Sequence, residues 1–457
     1  MGALFGYCGT AQPGLLERMA QLLKHRCRQG WEHCAVEQDT QRIEIGHGKN
    51  RINTAAQVIH TTQAALGYAG VFYHNSSSIQ ELLNRLKTGG AQVAENLEGA
   101  FVLAWSAGEN FYLLRDAAGV KALYWAQTGQ RLLFSSEIKA LFADSQLDKK
   151  LRPAALAEYF TFSFVPGEGT MLEGVYELQP GTLLTFRNGQ VSLRRWFNFE
   201  QWEWQAQDPH TTEDSVAQVR AALALSTEEC LHTSAQTPGF FLSGGIDSSS
   251  VLAMAKHLHP QQTFPTFSVH FGTKYPHEQE FIDLMVRHCR TEHHLLEVRP
   301  QHFSDRLEEI CWRLDDPIGD PVSMPNYLLA EFAAQHTPVV LNGEGGDPCF
   351  GGPKNIPMLL SHLYGSPGSE AADGWLERQY LHAFQRAYTD LTELLNQDIY
   401  KAIQGDKGLV ALLQPFFHAA QPKHLLNIVG LLNNYIFIII KHMILYIFYF
   451  KYSVIRL

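Results

Sequence analysis

The chain has 457 residues, of which 45% are hydrophobic and 18% charged, and a formal charge of −10. That length is enough for two or three domains with sizeable cores, and the acidic balance argues against a nucleic-acid binder held through phosphate contacts. Seven scattered cysteines, Cys8, Cys27, Cys34, Cys230, Cys289, Cys311 and Cys349, form no CxxC pair. That is the pattern of reduced thiols in a cytoplasmic protein. His25, Cys27, His33 and Cys34 lie close together in sequence, but their spacing matches no common zinc template. The opening MGALFGYCGT is too short for a signal peptide and lacks its basic start.

Residues 1 to about 200 read as an α+β layered unit rather than a βαβ array. Leu4–Tyr7 has the character of a strand, and Gln12–Cys27 carries a helical stripe of Leu15, Leu16, Met19, Leu22 and Leu23. Strand-like runs follow at Arg42–Gly46, Ala65–Tyr73, Ala100–Trp105, Phe111–Arg115, Ala122–Ala126 and Arg131–Ser135, with helices expected at Ile79–Lys87 and Glu137–Phe142. The Pro180-Gly181 turn is flanked by further strand-like runs. The polar and aromatic stretch 198–212 has no period and marks the domain boundary, and Asp214–Thr233 is then a helix.

From residue 238 the order changes to alternating strands and helices, which predicts a parallel sheet covered on both faces. The run FFLSGGIDSSS, Phe240 to Ser250, reads as strand, glycine-rich break and helix. Glycines let a backbone approach a ligand closely, and the unpaired amides at a helix start attract phosphate. Asp247 is placed to hold a divalent cation against that phosphate. The bland alternative is a buried strand and a capped helix without a ligand; the GG pair, the serines and the acid together favour phosphate. There is no GK[ST], so this is not a Walker A loop. Strands are expected at Thr263–Phe271, His294–Val298 and Pro338–Leu341, with helices at Glu278–Arg290, Phe303–Arg313 and Asn326–Gln335. Asn342-Gly343-Glu344-Gly345-Gly346-Asp347 then repeats the earlier arrangement of a strand end, a glycine-rich turn and an acid. In open α/β sheets ligands bind beyond the carboxyl ends of strands, so Asp247 and Asp347 are expected to share one metal–nucleotide.

Residues 370–428 read as helical, with Trp375, Tyr380, Phe384, Tyr388, Leu391, Leu394 and Leu395 as core packing. The last thirty residues differ in composition: no acid follows Asp406, and neither Ala nor Gly follows Gly430. Three explanations stand: a changed reading frame, a membrane span and a packed helix. The first is favoured, because Lys441 and His442 within the apolar run make a single span costly.

Several motifs in order resemble the asparagine synthetase family over about residues 1–428. SGGIDSS (Ser243–Ser249) resembles its pyrophosphate loop, TFSVHF (Thr266–Phe271) its next strand, LDDP (Leu314–Pro317) its LDEP segment and NGEGGDPCFGG (Asn342–Gly352) its GDGGDELFGG motif. RDAAGVKALYW (Arg115–Trp125) and FSSEIKAL (Phe134–Leu141) resemble its amino-terminal motifs. The resemblance implies an Ntn-hydrolase-like glutamine amidotransferase domain at 1–205, a PP-loop α/β domain (adenine nucleotide α-hydrolase-like) at 206–428 and an unrelated hydrophobic tail at 429–457. It also implies an ATP- and Mg2+-dependent ligase of asparagine-biosynthesis type that joins a carboxylic acid to ammonia or another amine through an acyl-adenylate. In that reading Ser243, Gly244, Gly245, Asp247 and Ser248 cradle the pyrophosphate, and Asp247 and Asp347 hold the metal. Phe241, Leu242, Val269 and Gly343 line the nucleoside, and Glu344 acts on the incoming amine. A cytoplasmic location is expected, with no nucleic-acid partner and no membrane span. A homodimer is left open.

The departures are as informative. The chain begins Met1-Gly2-Ala3, without the amino-terminal cysteine of a class II amidotransferase. Lys49 stands near the family's carboxylate-binding Arg, and Ala69-Gly70-Val71 stands at its NGE segment. Cys8 would be a nucleophile only after removal of seven residues; as the chain stands it reads as a buried thiol at a strand end. The glutaminase is therefore expected to be inactive. Pro348 and Pro353 depart from the family beside the acid-substrate pocket, which points to a substrate other than simple aspartate. The match also ends after Lys423–Asn427, and the family's phosphate-contacting Lys has no counterpart. A catalytically dead nucleotide-binding remnant is the alternative.

Overall fold

The computed structural model describes residues 2–38, 41–49, 57–72, 78–197, 212–232, 236–272, 279–344, 346, 375–384, 387–403 and 407–419. The expected domain boundary at 205/206, Asp347, Pro348, Cys349, Pro353, Lys423–Asn427 and the tail at 429–457 lie outside the described residues.

In chain order the amino-terminal half runs β1 (Leu4–Gly9), α1 (Leu15–Leu22), β2 (Trp31–Gln38), β3 (Gln41–Gly48), β4 (Val58–His60), β5 (Ala65–Phe72), α2 (Ile79–Glu95), β6 (Gly99–Ala107) and β7 (Asn110–Arg115). It continues with β8 (Tyr124–Thr128), β9 (Arg131–Ser135), α3 (Ile138–Leu141), α4 (Pro153–Phe162), β10 (Val175–Glu177), β11 (Thr182–Arg187) and β12 (Gln190–Arg195). The strands form two antiparallel sheets, ordered β10-β8-β9-β1-β3-β2 and β12-β11-β7-β6-β5-β4. Alternation along the strands assigns the layers. On β6, Val102 and Ala104 face the space between the sheets, whereas Phe101, Leu103 and Trp105 face Leu82, Leu83 and Leu86 of α2. On β1, Leu4 and Cys8 face the inter-sheet core, while Phe5 and Tyr7 pack under Leu15, Leu16 and Met19 of α1 and Leu141 of α3. The half is thus a four-layer helix–sheet–sheet–helix stack.

Local chemistry sets the ends of these elements. Ser78 caps α2 by accepting the Glu81 amide at 3.2 Å. That helix runs past the expected Lys87 to Glu95 because it resumes after a break at Gly90 (φ 52°, ψ −135°). Helix α1 is shorter than its apolar stripe: Gly14 precedes it in the left-handed region, and the chain past Leu22 tightens into turns. Strand β2 and helix α4 were not legible in the sequence. Strand β2 is a sheet edge whose Cys34 and Val36 enter the core while Glu32, His33 and Glu37 break the apolar pattern. His33 and Cys34 therefore face opposite ways, and no metal-binding group of three such side chains exists among the described residues. Among the described residues Cys8, Cys27, Cys34, Cys289 and Cys311 form no disulfide.

The carboxy-terminal half begins with α5 (Thr212–Leu231), β13 (Gly239–Phe241), α6 (Ile246–Leu258), β14 (Pro265–His270), α7 (Gln279–Cys289), β15 (Glu292–Glu297), α8 (Pro300–Leu314), α9 (Ser323–Ala333) and β16 (Val340–Leu341). Its sheet is parallel, in the order β15-β14-β13-β16. Phe240, Leu242, Val251 and Leu252 form a core with α5 and α6 on one face; Phe241, Phe267 and Val340 pack with Leu329, Ala330 and Ala333 of α9 on the other. Helices at Trp375–Phe384, Gln397–Ala402 and Lys407–Ala419 follow. Tyr388, Leu391 and Leu395 are buried against Ala157 of α4, but Leu394, expected in that core, is 48% exposed. No helix among the described residues is long and apolar enough to cross a membrane.

The two halves share cores. Ala100 and Val120 of the first lie in one cluster with Phe240 and Leu252 of the second, and α4 packs against the last helices.

Candidate functional site

Strands β13 and β16 are parallel neighbours, so both deliver their carboxyl ends to one edge of the sheet. Beyond β13 the chain turns through Ser243, Gly244 and Gly245. Gly244 has φ 86°, a region that L side chains rarely adopt. The Ser243 amide donates to Ser248 Oγ at 3.2 Å, the two serine hydroxyls lie 3.1 Å apart, and the Gly245 amide donates to Ser243 Oγ at 3.3 Å. These bonds fold the loop back on the first turn of α6, which no side chain caps. The second turn follows β16, where the Glu344 amide donates to Asn342 Oδ1 at 2.8 Å and Asn342 is buried.

The two turns touch. A Cβ added at Gly343 would lie 2.2 Å from the Ser248 amide nitrogen, and one at Gly346 would lie 2.3 Å from Asp247 Cγ. At Gly343 the neighbour is main chain, so only glycine fits; at Gly346 a Cβ would have to displace the Asp247 carboxylate. The structure therefore brings Ser243, Gly244, Gly245, Asp247, Ser248, Gly343 and Glu344 to one place. Asp347 is one residue past Gly346 but outside the described residues. Phe241 and Leu242 point to opposite faces and are 6% and 2% exposed, so what they present to the site is mainly backbone. The Ser268 hydroxyl donates to the Leu242 carbonyl and fixes that backbone against β14. Val269 is half-buried on the α9 side. The arrangement suits an anion with several oxygens, held by loop amides and serine hydroxyls beside a carboxylate.

A second polar group closes one end of the inter-sheet space in the amino-terminal half. His47 and Glu32 pair across β3 and β2. Glu32 accepts the Gln57 amide at 2.7 Å and an ion pair from Lys49 at 3.0 Å. His47 is 1% exposed; its Nδ1 is 3.8 Å from Glu32, beyond hydrogen-bond reach, and neither ring nitrogen has a partner among the described residues. Burial drives its pKa down to about 4, against a smaller upward pull from Glu32. A Cβ added at Gly2 would lie 2.0 Å from His47 Nε2 and 2.2 Å from the Gly48 carbonyl. Cys8 is wholly buried, and burial pushes its thiol up to about 12. Ala69 is buried in the inter-sheet core.

Sequence reasoning missed a third polar group, at the seam between the halves. Glu137 is bonded by His25 at 2.9 Å, Lys139 at 2.5 Å and Arg26. Burial raises its pKa, but Arg26, His25 and Lys139 outweigh that and hold it at about 2. Lys139 also pairs with Asp315 at 2.8 Å. The signal was present in SSEIKAL and LDDP, but nothing in their spacing reveals contact across 176 residues of chain.

Comparison with known proteins agrees with this division. An asparagine synthase family model matches residues 218–413, and a glutamine amidotransferase domain model matches residues 59–197. Glutamine-hydrolyzing asparagine synthetase 1 of Bacillus subtilis is 33% identical over 291 residues, 62% of this chain and 44% of that protein. Asparagine synthetase 3 of the same organism is 29% identical over 300 residues, 61% and 47%. An amidase, chry2 of Gibberella zeae, is 28% identical over 271 residues, 56% and 40%. The match spans about half the length of these relatives. Two family models in the order of the two halves, with the loops of the second in contact, identify the chain as a member of the asparagine synthetase family.

Proposed function

We propose that this chain is an ATP-dependent, amide-forming ligase that activates a carboxylic acid as an acyl-adenylate and transfers the acyl group to ammonia or a substrate amine. The supporting observation is the contact of the two glycine-rich turns, with Gly343 against the Ser248 amide and Gly346 against the Asp247 carboxylate. A cradle with glycine at its closest approaches is the shape needed for close approach of main chain to phosphate. Ser243, Gly244, Gly245 and Ser248 would bind the pyrophosphate portion, and the main chain of Phe241, Leu242, Val269 and Gly343 would meet the nucleoside. Asp247 and Asp347 would hold Mg2+, which neutralises phosphate charge when bound. Glu344, half-buried beside Asn342, would orient the amine and take its proton. We place the two domains at 1–205 and 206–428 and the protein in the cytoplasm.

The amine would not come from the chain's own glutaminase. Position 2 has no room for a nucleophilic side chain beside His47. Cys8 is sealed in the core, and Lys49 is tied to Glu32. Lys also offers a point charge where the bidentate Arg fork would grip a carboxylate.

Pyrophosphate release from ATP with a panel of carboxylic acids and ammonium tests the reading. Release that needs both acid and ATP is expected, with no glutaminase activity above background. ATP binding without release for any acid would replace it with a nucleotide-binding remnant of the family.

A further inference from the structure

Asp315 is a non-glycine residue at φ 67°, ψ −52°, with the Asp316 amide donating to the Leu314 carbonyl at 2.8 Å. That is a γ-turn of the rare positive-φ kind, a strained conformation that persists only where its surroundings hold it. What holds it belongs to the other half of the molecule. The carboxylate is 6% exposed and accepts the amides of Ile138 and Lys139, the latter at 3.2 Å, as well as Lys139 Nζ at 2.8 Å. It thereby caps α3, whose own N-cap residue, Glu137, makes no side-chain capping bond. Trp312, just upstream, packs its ring on His25 and under Lys139 Nζ.

The chain that follows is pinned a second time, by the Gly319 amide donating to the Ser163 carbonyl at 2.7 Å. It then enters α9. Leu329, Ala330 and Ala333 of that helix back Phe241, while Met324, Tyr327 and Leu328 pack in the cluster that Val269 adjoins. Helix α9 thus stands behind the wall assigned to the nucleoside, and its entry is anchored on the amino-terminal half.

We propose that Asp315 is a positioning residue through which the amino-terminal half holds α9, and with it the nucleotide wall, in place. The amino-terminal half then has a task that does not depend on splitting glutamine. The nucleotide part of this inference rests on the ligase reading above; the anchoring of α9 does not.

The test uses the full chain and three variants. Asp315→Ala removes the cap and keeps the strain, Asp315→Gly removes both, and Asp315→Asn keeps an acceptor. Hydrogen exchange over Ser323–Ala333 is expected to quicken about tenfold in the Ala and Gly variants, with the Asn variant between them and the parent chain. In turnover, KM for ATP should rise about tenfold while kcat changes less than about twofold, again with partial rescue by Asn. A purely local cap would quicken exchange only at Ile138 and Lys139. Parent-like exchange in α9 for Asp315→Ala, or parent-like KM for Asp315→Gly, overturns the proposal. If Ala and Gly do not fold, Asp315→Asn decides by the same two measurements. A parent chain that turns over no ATP sinks the ligase reading alone, because the exchange experiment needs no turnover.

Discussion

The two halves solve opposite problems with the same polypeptide chemistry. The antiparallel half directs side chains inward from both faces of both sheets, and of the polar residues at the end of that space His47 and Gln57 are buried and Glu32 is half-buried. The parallel half leaves the carboxyl ends of β13 and β16 open and fills the gap between their turns with glycine. At Gly2 the absence of a side chain accommodates a neighbouring imidazole; at Gly343 and Gly346 it accommodates the other turn of the site. Glycine therefore marks a closed site in one half and an open one in the other.

The sharpest way to break this contrast is to give the open site a side chain. Gly346→Ala places a methyl against the Asp247 carboxylate, and Gly343→Ala places one against the Ser248 amide. Each should lower ATP-dependent pyrophosphate release by about a hundredfold or more, on the scale of losing a preorganised electrostatic contact. Parent-like release in either variant would remove the cradle from the argument.

Trp105→Ala tests the closed half. Trp105 is fully buried and stacks on Tyr112 at 4.6 Å. Its truncation should cost about 3–5 kcal/mol of stability, read from the urea transition, and leave ATP affinity of the folded chain unchanged.

Acid should separate two of the buried groups. Folded His47 takes a proton only near pH 4, against 6.5 ordinarily. The unfolded chain then binds more protons between those values, and stability falls as pH drops through about 6.5 to 4. The low pKa of Glu137, about 2 against an ordinary 4.5, contributes stability that is full above 4.5 and is lost as pH falls towards 2. His47→Gln should flatten the first window in a series of urea midpoints and leave the second. A smaller effect still is expected from Arg187→Ala, which breaks an exposed ion pair with Glu109. That change should stay within about 1 kcal/mol.

Period and punctuation carried much of the architecture. Apolar runs between turn residues located β6, β7 and β9 to within a residue or two, because strands buried on both faces must be continuously apolar. The strand–glycine–helix order at Phe240–Leu258 likewise placed the loop of the site, since glycine and the helix start act locally. Edge strand β2 escaped because Glu32, His33 and Glu37 interrupt its apolar pattern, and α4 because its partners come from residues 381–410.

The amino-acid sequence by itself thus determined the change from an antiparallel to a parallel half, the two glycine-rich turns and the residue types each carries. Tertiary structure alone decided that the turns meet at Asp247, that His47 occupies the space beside Gly2, and that Asp315 reaches back to cap α3. The reason is one of range. Propensity, capping and turn chemistry act over a few residues, whereas a contact between positions 139 and 315, or 247 and 346, exists only after the intervening chain has packed.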